Sequence, residues 1–329
     1  MENKKDVEGR LQMEIYQTWQ DMGQKYNRLV VGLGNFDGVH LGHQKLIGEL
    51  VAVAKRFCGV SAVFTFHPHP VMVLNPEQAP SLLMTQDVKE KMISKLGVDI
   101  LFRVPFTQEF ARLEPEEFID QVLCRGLNVR AVLVGYNYTF GYQGRGTTDL
   151  LKEYSYRCDY ELQVIPPVIV DQQVVSSTLI RDLLKDGEVA EAAKYLGFSP
   201  FFEGVVIEGD RRGSVLGFPT ANLESTGNVL LPAKGVYMIR VSIDGDMFLG
   251  VANIGSRPTF YGYNARPNVE VHLLDFSGDL YGKVVSVHFT RRLRGEKKFA
   301  SPEELALQIK QDIQIVRESI RSTSFETVN

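Results

Sequence analysis

The stretch from Leu29 to Leu50, LVVGLGNFDGVHLGHQKLIGEL, constrains the fold of this chain more than any other. Leu29 to Leu33 is an unbroken apolar run of strand length. Gly34 and Gly38 then punctuate a short turn that carries Phe36 and Asp37. From about Leu41 the pattern becomes helical, with Leu46, Ile47 and Leu50 on one stripe, and Gly59 ends it after about Phe57. Val60 to Phe66 (VSAVFTF) reads as a second strand. Strand, helix and strand in so short a span make a right-handed βαβ unit, and with it a parallel sheet. A glycine turn opening a helix presents backbone N–H groups to an anion. His40 and His43, three apart, share one face of the first turn. Two donors there can clamp a triphosphate while charge moves between its phosphorus atoms. The plainer alternative is a turn before a helix, with histidines hydrogen-bonded at the surface. The stretch is neither a GxxxxGK[ST] loop nor a GxGxxG turn.

The 329 residues suffice for two domains, each with its own core. A net charge of -4 offers no polyanion-binding bias, so the expectation is no nucleic-acid partner. No run approaches the roughly 20 apolar residues of a membrane span, and the N-terminus has no apolar h-region. Cys58, Cys124 and Cys158 are odd in number and widely spaced. They read as reduced thiols of a cytoplasmic protein, with no disulfide framework or metal site. Residues 1–28 form a polar extension, for which pairing and fraying are both open.

Further strands are expected over Val98 to Val104 and Arg130 to Gly135, with helices over Leu82 to Leu96 and Pro115 to Cys124. His67-Pro68-His69-Pro70 follows the second strand, where parallel sheets bind ligands; a rigid loop with solvated histidines explains it equally well. The His67/His69 pair is too weak for zinc, which we exclude. Tyr136 to Gly146 (YNYTFGYQGRG) carries too many aromatics for all to be core. Asn137 can pair with a base edge, and Tyr138 or Phe140 can flank a ring. In Val175-Ser-Ser-Thr-Leu-Ile-Arg181, Ser176 or Ser177 can cap a helix, Thr178 can offer a hydroxyl, and Arg181 can fork a phosphate. Val189 to Leu196 is a short helix.

From Phe201 the pattern changes to short strands between glycines and prolines: Phe202 to Glu208, Gly235 to Ile243, Phe248 to Ile254, Val269 to Leu274 and Val284 to Arg291. That is the signature of a small antiparallel barrel, followed by a helix over Pro302 to Glu318. In Gly209 to Asn222 (GDRRGSVLGFPTAN), Gly213 and Gly217 allow close backbone approach, Arg211 and Arg212 add charge, and Thr220 and Asn222 offer oxygens to a hard cation. In NVEVHLLDF, Glu270, His272 and Leu274 alternate with Val269, Val271 and Leu273. A solvated face alone would explain Glu270.

GNFDGVHLGH resembles the signature of the nucleotidyltransferase module of bacterial bifunctional riboflavin kinase/FAD synthetases. Phe66 to Pro70, Gly135 to Gly141, and Val175 to Arg181 resemble its later motifs. Gly217 to Asn222 and Val269 to His272 resemble two motifs of its kinase module, and Leu293, Arg294, Glu296 and Phe299 also fit. The likeness runs from about Leu29 to the last helix. Ser214 departs from the pattern, because relatives commonly carry a basic residue there.

The resemblance implies a Rossmann-like α/β nucleotidyltransferase domain of the His-x-Gly-His type over 29–186. A linker helix over 187–200 and a barrel riboflavin kinase domain over 201–329 would follow. His40, His43 and Arg181 would act in adenylylation. Gly34, Phe36, Asp37, Gly38, His69, Asn137, Ser177 and Thr178 would line that site. Glu270 would be the kinase base, with Gly209, Arg211, Gly213, Gly217, Pro219, Asn222 and Arg294 around the nucleotide and Thr220 and Asn222 on Mg²⁺. Substrates would be ATP, riboflavin and FMN, with FAD as product, in a cytoplasmic monomer or weak homo-oligomer. The alternatives are a single active module, or a flavin- or nucleotide-binding regulator on the same scaffold.

Overall fold

A computed structural model describes residues 13–208, 217–256 and 267–326. Chain contacts divide it into two compact units. The first runs to Ser81 and resumes over Gln86–Ser177; the second takes Leu82–Thr85 and everything from Thr178.

The first unit is a six-stranded, all-parallel sheet with spatial order β1-β4-β3-β2-β5-β6. Its strands are β1 (Glu14–Tyr16), β2 (Leu29–Leu33), β3 (Val60–His67), β4 (Ile100–Pro105), β5 (Val129–Gly135) and β6 (Glu161–Ile165). Every residue of β2 is buried, as a central parallel strand demands. The helices are α1 (Met22–Lys25), α2 (Leu41–Arg56), α3 (Pro70–Leu74), α4 (Gln86–Lys95), α5 (Pro115–Phe118) and α6 (Thr148–Arg157). α2 seats Leu46 and Leu50 directly over Gly32, where a Cβ would lie 3.1 and 3.2 Å from their methyl groups. Gly59 is required for another reason: a Cβ there would stand 2.1 Å from the Arg28 carbonyl oxygen.

Several expectations change here. Within residues 1–28, β1 pairs in parallel with β4, and Trp19 packs on Phe64 and Phe110. α4 begins at Gln86, directly after Thr85, the cap expected within the Leu82 to Leu96 stripe, and Leu82 bridges to Val229 in the second unit. α5 continues as a π-helix over Ile119–Gly126. Cys124 and Cys158 form a disulfide, with Cα atoms 5.7 Å apart, so two of the three cysteines are not free thiols. Spacing could not show this, since the fold alone brings the ends of two helices together. Cys58 is free and exposed.

In the first unit the chain then makes a two-stranded ribbon, β7 (Ile169–Val170) and β8 (Gln173–Val174). α7 (Ser177–Asp186) crosses the unit boundary, and α8 (Val189–Leu196) follows in the second unit. Arg292 donates to the Asp186 and Lys234 carbonyls, and the Ala233 N–H donates to the Leu184 carbonyl, tying the end of α7 to the barrel.

That barrel is closed and antiparallel, in the order β10-β13-β12-β11-β14-β9. Its strands are β9 (Phe201–Ile207), β10 (Ala221–Ser225), β11 (Gly235–Ile243), β12 (Asp246–Ser256), β13 (Pro267–Leu273) and β14 (Val284–Arg294). β10 was not among the expected strands. α9 (Pro302–Glu326) closes the unit, running beyond the expected Glu318; its Ile313 and Val316 pack with Val236, Val251 and Leu274. Leu274 therefore joins the core instead of continuing the Glu270 face, because β13 ends at Leu273.

Candidate active sites

The first site sits at the carboxyl ends of β2 and β3. The turn after β2 needs left-handed backbone at Phe36 (φ 53), Gly38 (φ 84) and Val39 (φ 37), which turns the chain sharply into α2. At Gly34 a Cβ would lie 3.1 Å from the Phe36 ring, so glycine lets that ring fold back. His40 is the N-cap of α2, its Nδ1 accepting the His43 N–H at 3.3 Å. The two imidazoles stack, centroids 3.6 Å apart at 17°, and Phe36 meets His43 edge-on at 5.3 Å. His43 Nδ1 is buried without a hydrogen-bond partner. Burial, the His40 ring and the Lys89 ammonium together hold His43 well below the usual histidine range, so it is a neutral imidazole at pH 7. Asp37 is buried, and its carbonyl accepts the Ser177 hydroxyl at 2.9 Å. The turn and the VSSTLIR motif therefore meet at Ser177, inside the first unit.

His69 caps α3, its Nδ1 accepting the Val71 N–H at 3.3 Å. His67 ends β3, and burial with the charges of Lys89 and Arg103 pushes its imidazole down. Asn137 is exposed after β5. Of the two aromatics offered beside it, Phe140 is core, and Tyr138 stacks on it at 5.9 Å. Thr178 and Arg181 fall in the second unit, with Arg181 buried on α7. Sequence reasoning missed Lys89, whose ammonium reaches the Asn35 carbonyl at 3.2 Å. The signal was legible: a lysine between Val88 and Ile93, on the buried side of α4.

The second site centres on Glu270 of β13. In register, Glu270 lies opposite Asn222 of β10 and Asn253 of β12. Asn268 donates its amide to Glu270 Oε1 at 2.8 Å, a partner the period-two pattern placed on the same face. His272 Nδ1 donates to the Pro219 carbonyl at 2.8 Å, which fixes the segment leading to Thr220 and Asn222. Asn222 is buried and Thr220 half-buried. Gly217 adopts φ 85 with open space where a Cβ would stand. Gly209, Arg211, Arg212, Gly213 and Ser214 lie outside the described residues. Arg294, expected near the nucleotide, has its guanidinium held by Asp312, Nη2 at 2.9 Å and Nε at 3.1 Å. The Thr220 hydroxyl and the Asn222 amide are hard oxygen donors of the kind that suits Mg²⁺.

A phosphate-type helix start in a parallel sheet, and a carboxylate among amides in a barrel, together define a nucleotide-handling enzyme built in two units. Residues 23–179 match the family model described as FAD synthetase, and 196–320 the one described as riboflavin kinase. The chain is 39% identical to the bifunctional riboflavin kinase/FMN adenylyltransferase of Bacillus subtilis, over 87% of this chain and 90% of that one. The Listeria monocytogenes protein of the same name is 38% identical, over 91% and 93%. A solved structure titled as a macrolide-efflux protein from Streptococcus pneumoniae superposes with a TM-score of 0.84 at 32% identity, covering 93% of this chain and 99% of that one. The chain belongs to the bifunctional riboflavin kinase/FMN adenylyltransferase family. No helix among the described residues is long and apolar enough to cross a membrane.

Proposed function

We infer that the second unit phosphorylates riboflavin to FMN and the first adenylylates FMN to FAD, with ATP as donor in both steps and pyrophosphate released in the second. The observation that carries the reading is the stacked His40/His43 pair at the start of α2. In adenylylation an FMN phosphate oxygen attacks the α-phosphorus of ATP, and the pyrophosphate oxygen leaves. Backbone N–H groups at the helix start, with neutral His43, donate hydrogen bonds to the phosphates as charge moves onto the leaving group. By the motif resemblance Ser177 of the first unit serves the phosphates and His69 and Asn137 serve the flavin or nucleotide, and the same motif assigns a phosphate role to Thr178 and Arg181 of α7.

In the kinase step the riboflavin primary hydroxyl attacks the γ-phosphorus of ATP, Glu270 takes its proton, and the bond to the β-phosphate oxygen breaks to release ADP. Asn268 holds Glu270 Oε1, leaving Oε2 to orient the hydroxyl. Mg²⁺, when bound, neutralises phosphate charge, and Thr220 and Asn222 are the residues that would hold it. The cytoplasm, a monomer or weak homo-oligomer, and no nucleic-acid partner complete the reading.

The test is to incubate the protein with riboflavin, ATP and Mg²⁺ and to separate FMN from FAD. Both should form in sequence; FMN alone would leave a kinase with a silent first unit. His43→Ala should depress FAD formation from supplied FMN and leave riboflavin phosphorylation within about three-fold. Equal loss of both activities would remove His43 from the adenylyl site.

A further inference from the structure

Lys89 is a cation where a fold rarely leaves one. It is 8% exposed, on the face of α4 that also buries Val88 and Ile93. Lysines are almost never so buried unless paired. Its Nζ donates to the Asn35 carbonyl, inside the Gly34–Gly38 turn, at 3.2 Å. That carbonyl already has a donor, the Thr65 hydroxyl at 3.2 Å. The turn is therefore held at Asn35 from two sides, by β3 and by α4.

Charges of both signs surround it. Asp37 of the turn and Glu90 of α4 face it as anions. Glu90 is also engaged by Arg103 of β4 at 2.9 Å and by Gln86. Asp87 of α4 acts on His67, and Lys91 is exposed. His43 and His67, from two other elements, both feel the ammonium as a like charge. Burial brings Lys89 down to about 8, so it still carries its proton at pH 7.

We propose that Lys89 is a positioning residue for adenylyl transfer, pinning the Gly34–Gly38 turn at Asn35 and setting a fixed positive charge beside His43. Burial first, then the His40 ring and this charge, keep the histidine uncharged in the free enzyme, while the site still attracts a triphosphate. This rests on the adenylyl-transfer reading above.

The test uses Lys89→Met and Lys89→Arg in the full chain, with His43 followed by NMR of histidine-labelled protein. In Lys89→Met the His43 titration should move upward, because a like charge is gone. kcat/KM for FAD formation should fall ~10- to 100-fold, with riboflavin phosphorylation unchanged and the thermal midpoint no lower. Lys89→Arg keeps the charge and should recover most of the rate. It should also carry activity to higher pH, whereas the wild type falls off above about pH 8 as Lys89 deprotonates. A His43 titration unmoved in Lys89→Met, or methionine and arginine variants equally impaired, would overturn the proposal. Should the methionine variant not fold, the arginine pH profile decides: a fall-off unchanged from wild type overturns it. A wild type that makes no FAD would sink the functional reading instead, and the His43 titration would still judge Lys89.

Discussion

At Glu270 three strands meet, and each brings an amide: Asn222 and Asn253 across the ladders, and Asn268 two residues away on β13. An amide donor holds one carboxylate oxygen without neutralising the charge, which suits a group that must accept a proton. Glu270→Gln keeps the shape and loses the base. Riboflavin phosphorylation should fall at least ~100-fold, while riboflavin binding by fluorescence quenching and conversion of supplied FMN to FAD stay near normal. A glutamine variant that works at the original rate would return Glu270 to a solvated strand face. The alternation with buried Val269 and Val271 placed Glu270 on the opposite face of its strand, and only the resemblance singled it out as a base. His40 and His43 were legible because helical spacing fixes who shares a turn. The Lys89–Asn35 contact was not, since α4 and the turn are joined only through the fold.

Elements were legible where the apolar period was clean and the chain local. β2, α2 and β3 fall where the pattern put them. The π-helix after Phe118 did not show, because Ile119, Val122 and Leu123 bury in either helix type. The Leu127 N–H reaches back five residues to Val122 O, at 2.9 Å, the π-type bond at its end. β10 was missed because ANLES lacks the β-branched alternation of its neighbours. α9 shows what a single ion pair does for an element. Asp312 is 2% exposed, accepts from the Arg294 fork and takes Gln308 Nε2 at 3.2 Å. Asp312→Ala would leave Arg294 partly buried with no counter-charge, at a cost of about 3 kcal/mol. Urea unfolding of the second unit should shift accordingly, and riboflavin phosphorylation should be lost at lower temperature than FAD formation. Coincident loss of both activities would mean that α9 is not anchored chiefly by this pair.

At the scale of the molecule, the change from long βα repeats to short strands marked two folds, and the boundary was the least legible feature. α7 belongs to a motif of the first unit by its Ser177 and to the packing of the second by Leu184 and Asp186. No local pattern declares such divided membership, nor the Cys124–Cys158 bond that fastens two helix ends of the first unit. The segment before Leu29 is the other case. β1 covers the β4 edge, where Ile100, Leu101 and Phe102 are buried. Deleting residues 1–28 should uncover that edge and invite pairing between copies. Light scattering should show concentration-dependent association, and a monodisperse truncated protein would refute it. The same segment gives the molecule an optical label of its own. Trp19 is the single tryptophan of the chain, and it lies against Phe64 and Phe110 in the first unit. Its emission therefore watches one of the two cores, so the unfolding of the sheet can be followed apart from that of the barrel without attaching any dye.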